Sequence, residues 1–223
     1  MPPTPARGAT IAPRLDLRAP QNVVRLAEPN LLDGEHREGE LYERASLDGE
    51  ELAGITLQEC ALDGVSLDDT GLRGARFIEC AFTDLFAPVF RAPRSSWRGT
   101  SLRSTRWGSA ELYDSRLDGV YLDGGKLDYV NFRSSQLTDV LVSGCIIGEL
   151  DLTGARVTRL AFTDCTVGTL TLDGARLRDA DLRTSSFRSI NGIDGLRGAT
   201  IDEYQLQLLA PSLAESMGLR VEG

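Results

Sequence analysis

The chain is poor in the residues and segments on which many enzymes and membrane proteins depend. It has one histidine among 223 residues and 6% aromatic residues. No stretch approaches the run of about 18 apolar residues that indicates a membrane span. The first residues, MPPTPARGATIAPRL, contain no apolar signal-peptide core. We therefore expect a cytoplasmic protein that does not bind membranes and whose four cysteines are free thiols.

Charge and motifs narrow the function classes further. Acidic residues outnumber basic ones by 33 to 24, a formal net charge of −9, which disfavours direct nucleic-acid binding and favours a basic partner. The lone histidine, His36, has no evident partner in the sequence, and no glycine-rich phosphate loop, nucleophile elbow or metal-binding motif occurs. We predict a protein that is not an enzyme and has no catalytic, cofactor-binding or metal-binding residues.

Every fifth residue is large and apolar over most of the chain. We call the residues reached in steps of five from Leu47 to Phe187 the pentad centres. All of them are large and apolar except Ala87 and Ala92. The residue two places before each of these centres is small, hydroxylated or apolar in nearly every pentad. A step of five turns about 140° around a helix and reaches the opposite face of a flat strand. Both positions face inward only if the chain turns a corner after every pentad.

The number of corners follows from a second spacing. Asp-Gly pairs such as Asp63-Gly64 follow many centres and suit tight corners. Cys60 and Cys80 are four pentads apart, and so are the other two cysteines. Four corners close a square, so that residue n stacks on residue n + 20. The sequence predicts an all-β solenoid, a right-handed quadrilateral parallel β-helix of about seven coils.

These features resemble the pentapeptide-repeat family, whose consensus is A-(D/N)-L-x-x. The pentad from Ala180 to Thr184 reads ADLRT and matches the consensus in full, and the resemblance covers about residues 40–200. It implies the quadrilateral β-helix known for that family. The chain is also distantly similar to the family's quinolone-resistance members, which implies a DNA-mimicking protein that binds DNA gyrase or topoisomerase IV.

The repeat divides the chain into three parts. Residues 1–40 lack it, and we expect a loose leader followed by an N-terminal cap. Residues 41–198 are predicted to form the β-helix, and residues 199–223 a C-terminal helical cap. The pattern weakens at residues 85–98, where two interpretations remain open: three weak pentads, or a loop that returns in register.

The C-terminal helix is predicted from capping and spacing. A capping-box signal runs from Thr200 to Glu203, and Gly218 is a suitable stop. Pro211 lies between them, which predicts one kinked helix or two short ones. The apolar residues at helical spacing are Leu206, Leu209, Leu213 and Met217. Two roles remain open for this stripe. It covers the open end of the solenoid, or it joins two copies end to end, as occurs in some quinolone-resistance members that the helix resembles.

Charge is distributed unevenly along the predicted rod. Residues 28–84 carry 15 acidic and 4 basic residues, whereas residues 85–110 carry five arginines and no acidic residue. The candidate partner-binding residues of the acidic surface are Asp48, Glu59, Asp63, Asp68, Asp69 and Glu79. Those of the basic belt are Arg91, Arg94 and Arg98. Asp48 and Asp68, like Glu59 and Glu79, are four pentads apart, so we expect like charges to stack, which fold stability alone would not favour.

Two functions are compatible with these surfaces. If the acidic surface binds the partner, its carboxylates stand in for phosphates and the protein modulates DNA gyrase or topoisomerase IV, as the resemblance implies. The basic belt interrupts such a mimic. If the belt binds the partner instead, the protein is a rigid protein–protein interaction scaffold unrelated to topoisomerases.

Overall fold

The pentad centres form the core of the protein, as predicted. The computed structural model describes residues 9–26 and 30–220. All of the centres from Leu47 onwards are buried except Phe132, Leu177 and Phe187, which pack against the core with partial exposure. The positions two residues earlier are also buried in nearly every pentad, although Glu50 is exposed. One apolar column therefore follows the axis of the molecule, and the chain winds around it.

The winding chain is a parallel β-solenoid whose strands pair at an offset of four pentads. Trp97, for example, pairs in register with Phe77 on one side and with Leu117 on the other. In the described residues, one sheet contains Val24–Arg25, His36–Glu38, Glu40–Glu43, Thr56–Gln58, Ala61–Asp63, Arg76–Ile78, Ala81–Thr83, Ser96–Arg98, Ser101–Arg103, Arg116–Asp123, Gln136–Ser143, Arg156–Thr163, Arg176–Asp181 and Ala199–Thr200. The second sheet contains Thr70–Gly71, Phe86–Arg91, Arg106–Glu111, Lys126–Asn131, Ile146–Asp151, Thr166–Thr171 and Ser186–Asn191.

Residues in the left-handed conformation make the corners. At three of the four corners, the residue two places after the pentad centre has a positive φ. This holds in each of the paired coils up to Thr184. Gly64 lies at such a corner with φ +63°, and it follows an aspartate, as predicted. Within residues 9–26 and 30–220, the fourth corner is left-handed only at Gly49 and Asp69. From Phe86 onwards, six-residue strands continue through that corner, so the second sheet becomes wider.

The weak stretch at residues 85–98 continues the solenoid as three pentads. Its inward-facing residues are buried, whereas Phe86 faces outward with 49% exposure, and its strands pair in register with the neighbouring coils. Trp97 and Trp107 both lie in the core. Ala87 is in register with Trp107, and the Phe90 ring stacks on that indole with centroids 4.8 Å apart. The small alanine thus leaves the volume that the indole occupies.

Polar side chains inside the core bond to the backbone of the preceding coil. The hydroxyl of Thr70 donates to the Leu47 carbonyl oxygen at 2.8 Å, and that of Ser135 donates to the Leu112 carbonyl oxygen at 2.8 Å. The four cysteines occupy the same inward position, are buried and are not disulfide-bonded. Small residues with a hydroxyl or thiol are tolerated there because most of their polar atoms find a partner; the buried Thr105 hydroxyl is an exception within the described residues.

Strand pairing extends beyond the predicted limits at both ends. His36–Glu38 pairs with Thr56–Gln58, and Ala199–Thr200 pairs with Arg176–Asp181. The solenoid therefore has about nine turns rather than about seven. The five-residue period missed the outer coils because their inward positions are less regular.

A polar cluster lies in the first coil. Arg37 stands in register with Leu57 of the next coil, and its guanidinium contacts the carboxylates of Glu35 at 3.0 Å and Glu40 at 3.4 Å. The buried hydroxyl of Tyr42 donates to the Glu40 carboxylate, and burial together with this bond raises the pKa of Tyr42. Paired polar groups thus take the place of leucines in this coil.

The N-terminal segment lies against the solenoid, in contrast to the loose leader that we expected. Residues 10–21, which we call the strap, run from the last coil to the first. The hydroxyl of Thr10 hydrogen-bonds that of Thr200 at one end. At the other end the chain continues into Val24–Arg25, which pairs with Glu40–Glu43. The strap therefore lies along the length of the rod.

A short 3-10 helix, Ile193–Leu196, precedes the strand Ala199–Thr200, and the one α-helix of the described residues, Glu203–Ser216, follows that strand. The capping box is formed by Asp202 and Gln205, two residues later than the predicted signal. The helix contains Pro211, has Met217 as its C-cap and is followed by Gly218, which has φ +73° as a helix-terminating glycine requires. The predicted stop is confirmed.

Candidate interaction surface

The six acidic candidates lie on three separate parts of the first coils. Because residues four pentads apart share a position in the coil, Glu59 and Glu79 stack on one corner, which the strap also follows. Asp63 lies on the next wall of the solenoid. The other three, Asp48, Asp68 and Asp69, lie around the fourth corner. The sequence correctly placed them outside the core, but they do not form one continuous patch.

The stacked aspartates have a structural role that the sequence interpretation missed. The Asp48 carboxylate accepts hydrogen bonds from the Ser66 hydroxyl at 2.6 Å and from the Asp68 N–H at 2.8 Å. The Asp68 carboxylate in turn accepts from the Val89 N–H at 2.9 Å. The Ser66 hydroxyl bond is the main reason that the pKa of Asp48 is lowered. The expectation that stability would not favour this pair is wrong, because each carboxylate bonds the backbone of the next coil.

The basic belt is partly neutralised by neighbouring coils. The Arg91 guanidinium lies 2.6 Å from the Asp69 carboxylate of the preceding coil, and Arg94 lies 3.8 Å from Asp114 of the next. Arg98 is exposed and forms no ion pair within the described residues. Two of the three belt arginines are therefore less available to a partner than the sequence suggested.

The corner under the strap has a group of connected polar contacts outside the core. We call its column of residues the strap corner: Glu59, Glu79, Gly99, Gly119, Asp139, Arg159 and Asp179. The Arg159 guanidinium donates two bonds to the Asp139 carboxylate, both 2.5 Å long. The same carboxylate accepts from the Arg14 N–H at 2.8 Å. These bonds, that of Arg159 first, lower the pKa of Asp139 although burial opposes the shift.

The strap corner is also where the strap contacts the acidic surface. A cleft of about 530 Å³ lies between strap residues 17–21 and the side chains of Glu59 and Glu79. Sequence reasoning did not find Asp139, since nothing in its own pentad distinguishes it from other corner residues. The alternation of apolar and charged residues in the segment PRLDLR, from Pro13 to Arg18, is the signal that could have found its partner.

Half of the predicted stripe on the C-terminal helix is exposed. Leu206 is 49% and Met217 74% exposed, whereas Leu209 and Leu213 are half-buried. The residue that attaches the helix to the last coil is Gln205, whose buried amide donates to the carbonyl oxygens of residues 182 and 185 at 2.6 and 2.7 Å. An apolar surface is thus left uncovered at this end of the molecule.

Groups with the potential for catalysis are few and dispersed. His36 does belong to a paired strand, contrary to expectation, and its ring lies 3.9 Å from the exposed Glu38 carboxylate. The described residues contain no cluster of histidine, cysteine and acidic side chains suited to a metal ion. Burial raises the pKa of Cys80 to about 12, which leaves its thiol protonated. Within residues 9–26 and 30–220, no helix combines the length and hydropathy of a membrane-crossing segment.

The five-residue period, the four-pentad offset between paired strands and the left-handed corners together decide the architecture. The fold is the pentapeptide-repeat β-helix. A trypsin-treated variant of QnrB1, a plasmid-mediated fluoroquinolone resistance protein, is similar over 90% of this chain and 100% of its own, with 18% identity and a TM-score of 0.41. HetL, a pentapeptide-repeat protein involved in heterocyst differentiation regulation from the cyanobacterium Nostoc, is similar over 79% of this chain and 93% of its own, with 16% identity and a TM-score of 0.32. No protein-family model and no curated protein sequence matches the chain.

Proposed function

We propose that this pentapeptide-repeat protein is a rigid scaffold that acts by binding a protein partner through the outside of its solenoid, and that it does not catalyse a reaction. The acidic first coils are the contact surface in this proposal. The observation that carries it is the uneven charge along the rod: residues 33–84 hold 14 acidic and 4 basic residues. Asp63 is exposed and has no side-chain hydrogen bond or ion pair within the described residues.

The partner in this proposal presents a basic surface, because opposite charges guide association and favour the correct orientation. DNA gyrase or topoisomerase IV is the specific partner that the resemblance to quinolone-resistance members suggests. In that case Asp63 takes the place of a backbone phosphate, and Asp69 does so by exchanging its ion pair with Arg91 for one with the partner. The basic belt is the less favoured contact surface, since Arg91 and Arg94 already face carboxylates.

Matched charge reversals test this proposal. The double variant Asp63→Lys/Asp69→Lys changes the acidic coils, and Asp123→Lys/Glu149→Lys makes the same net change at the same coil positions further along the rod. In a DNA gyrase supercoiling assay, we expect the wild type and the distant pair to inhibit at similar concentrations. The acidic-coil pair is expected to need at least about tenfold more protein, and this difference should shrink as salt screens the charges.

Three outcomes contradict parts of the proposal. Equal inhibition by both variants would exclude the acidic coils as the contact surface. Absence of inhibition by the wild type at concentrations on the order of 10 µM would exclude DNA gyrase as the partner. Loss of binding in a triple charge reversal of Arg91, Arg94 and Arg98, with the acidic variants unaffected, would assign the contact to the basic belt.

A further inference from the structure

The spacing of two N–H groups along the strap matches the spacing of two carboxylates along the strap corner. Asp139 and Asp179 are two coils apart, which is about 9.6 Å at the spacing of neighbouring strands. Their carboxylates accept hydrogen bonds from the N–H groups of Arg14, at 2.8 Å, and Ile11, at 3.2 Å. These two amides are three residues apart, and three extended residues span about 10 Å. The strap thus presents the N–H groups of residues 11 and 14 at the same interval as carboxylates in alternate coils.

The strap corner is built for contact with a backbone as well. Arg159, in the coil between the two aspartates, donates two further hydrogen bonds to the Asp139 carboxylate. Further along, the carbonyl oxygen of Asp16 lies 3.6 Å from where a Cβ atom on Gly99 would be. The strap backbone therefore passes within van der Waals distance of this corner.

The side chains of the strap alternate between the solenoid and the solvent. Pro13, Leu15 and Leu17 are half-buried, whereas Arg14 and Asp16 between them are exposed. The strap forms no regular strand pairing with the solenoid, so it is held by few backbone bonds and by partly buried apolar side chains. An attachment of this kind opens locally at low free-energy cost compared with the paired coils.

We propose that the strap corner is a docking groove for an extended peptide, and that residues 10–21 of the same chain are its resident, exchangeable occupant. The groove recognises two backbone N–H groups three residues apart through Asp139 and Asp179. It selects apolar side chains at alternate positions, as in the strap's own Pro-x-Leu-x-Leu pattern. A partner that presents such a segment reaches this corner by displacing the strap.

Two substitutions of Arg14 in the full-length protein distinguish the contribution of its backbone N–H group from that of its side chain. Arg14→Pro removes both the guanidinium and the N–H that donates to Asp139, whereas Arg14→Ala removes the guanidinium alone. We expect trypsin to cleave after Arg18 about tenfold faster in Arg14→Pro than in Arg14→Ala, the effect of losing a hydrogen bond to a charged group. Asp139→Asn should accelerate the same cleavage. Asp164→Asn, at another left-handed corner without strap contact, should leave it unchanged.

Binding of a synthetic peptide tests whether the vacated corner accepts a ligand. The probe is a fluorescent ATIAPRLDLRAPQ peptide, the sequence of residues 9–21. We expect the full-length Ile11→Pro/Arg14→Pro variant to bind it saturably and at least about tenfold more tightly than the wild type, whose groove is occupied. A peptide with proline at both of these positions lacks the two N–H donors and should not bind.

Several results would overturn the proposal. Equal cleavage of the Arg14→Pro and Arg14→Ala variants would show that the N–H bond to Asp139 does not hold the strap. Equal binding of the probe by the wild type and the opened variant would show that the strap does not occupy the groove. Failure of the opened variant to bind the probe, with its circular dichroism spectrum unchanged, would show that the corner is not a docking groove.

Discussion

Truncation of one core leucine tests the winding of the chain. Leu152 is 1% exposed and lies in a central coil, so Leu152→Ala removes about three buried carbon groups, or about 2.4 kcal/mol at about 0.8 kcal/mol each. An apolar cavity of about 40 Å³ already adjoins this side chain. We expect the side chains around Leu152 to fill little of the space that its truncation leaves. The remaining cavity, at about 24 cal/mol per Å³, adds on the order of 1–2 kcal/mol to the loss of stability. We expect a loss of about 4 kcal/mol in the free energy of unfolding.

Leu141→Ala is the matched control, since it is the same substitution at a position facing outward. Leu141 is half-buried on the wall of the solenoid between Tyr121 and Ala161 of the adjoining coils. Its truncation should cost about 1 kcal/mol or less. Urea denaturation followed by the fluorescence of the two buried tryptophans measures both values. Similar losses for the two variants would refute the inward and outward assignment on which the four-sided coil depends.

Three other features give measurable expectations. Because all four thiols are buried, none should react with a disulfide reagent until the protein unfolds. Burial also raises the pKa of Cys80 to about 12, so this thiol stays protonated at mildly alkaline pH. Rapid labelling of the native protein would contradict the burial of the thiols. The pKa of Asp139 is lowered in the folded state, so its stabilisation is present above the unfolded value of about 3.9 and is lost as the pH falls through the folded value. Melting temperatures between neutral pH and about pH 3 should therefore fall less steeply in Asp139→Asn than in the wild type, and parallel curves would argue against this linkage. If the exposed side chains of the C-terminal helix join two copies of the protein, sedimentation should show a dimer. The double variant Leu206→Ser/Met217→Ser should then be a monomer. A wild-type monomer at high concentration would show that the helix only covers the end of the solenoid.

The sequence predicted the solenoid because its interior is periodic. A leucine such as Leu152 faces the same environment as the equivalent residues of the adjoining coils, so one packing rule applies in coil after coil. Corner residues such as Gly64 were predictable for the same reason, since each corner needs a residue that adopts a positive φ at low cost. Even the weak pentads kept their phase, and Trp97 remains in the core.

The contacts outside this periodicity were not predictable in the same way. The strap has no repeat, and its position depends on the distance between carboxylates in different coils, which appears only once the chain is wound. The roles of Asp48 and Asp68 were missed because the carboxylates were treated as charges alone, although each also accepts a backbone N–H from the next coil. The predicted acidic surface likewise could not be resolved into separate walls from a linear charge count.

The change at the fourth corner makes the two ends of the rod different in cross-section. Where Gly49 and Asp69 bend the chain, the cross-section has four short sides; from Phe86 onwards, one broad strip replaces a bend. A molecule lying lengthwise on this surface meets a narrow ridge at one extremity and a flat track at the other. The shape of the surface therefore distinguishes the two orientations of such a molecule, which a stack of identical coils would not do.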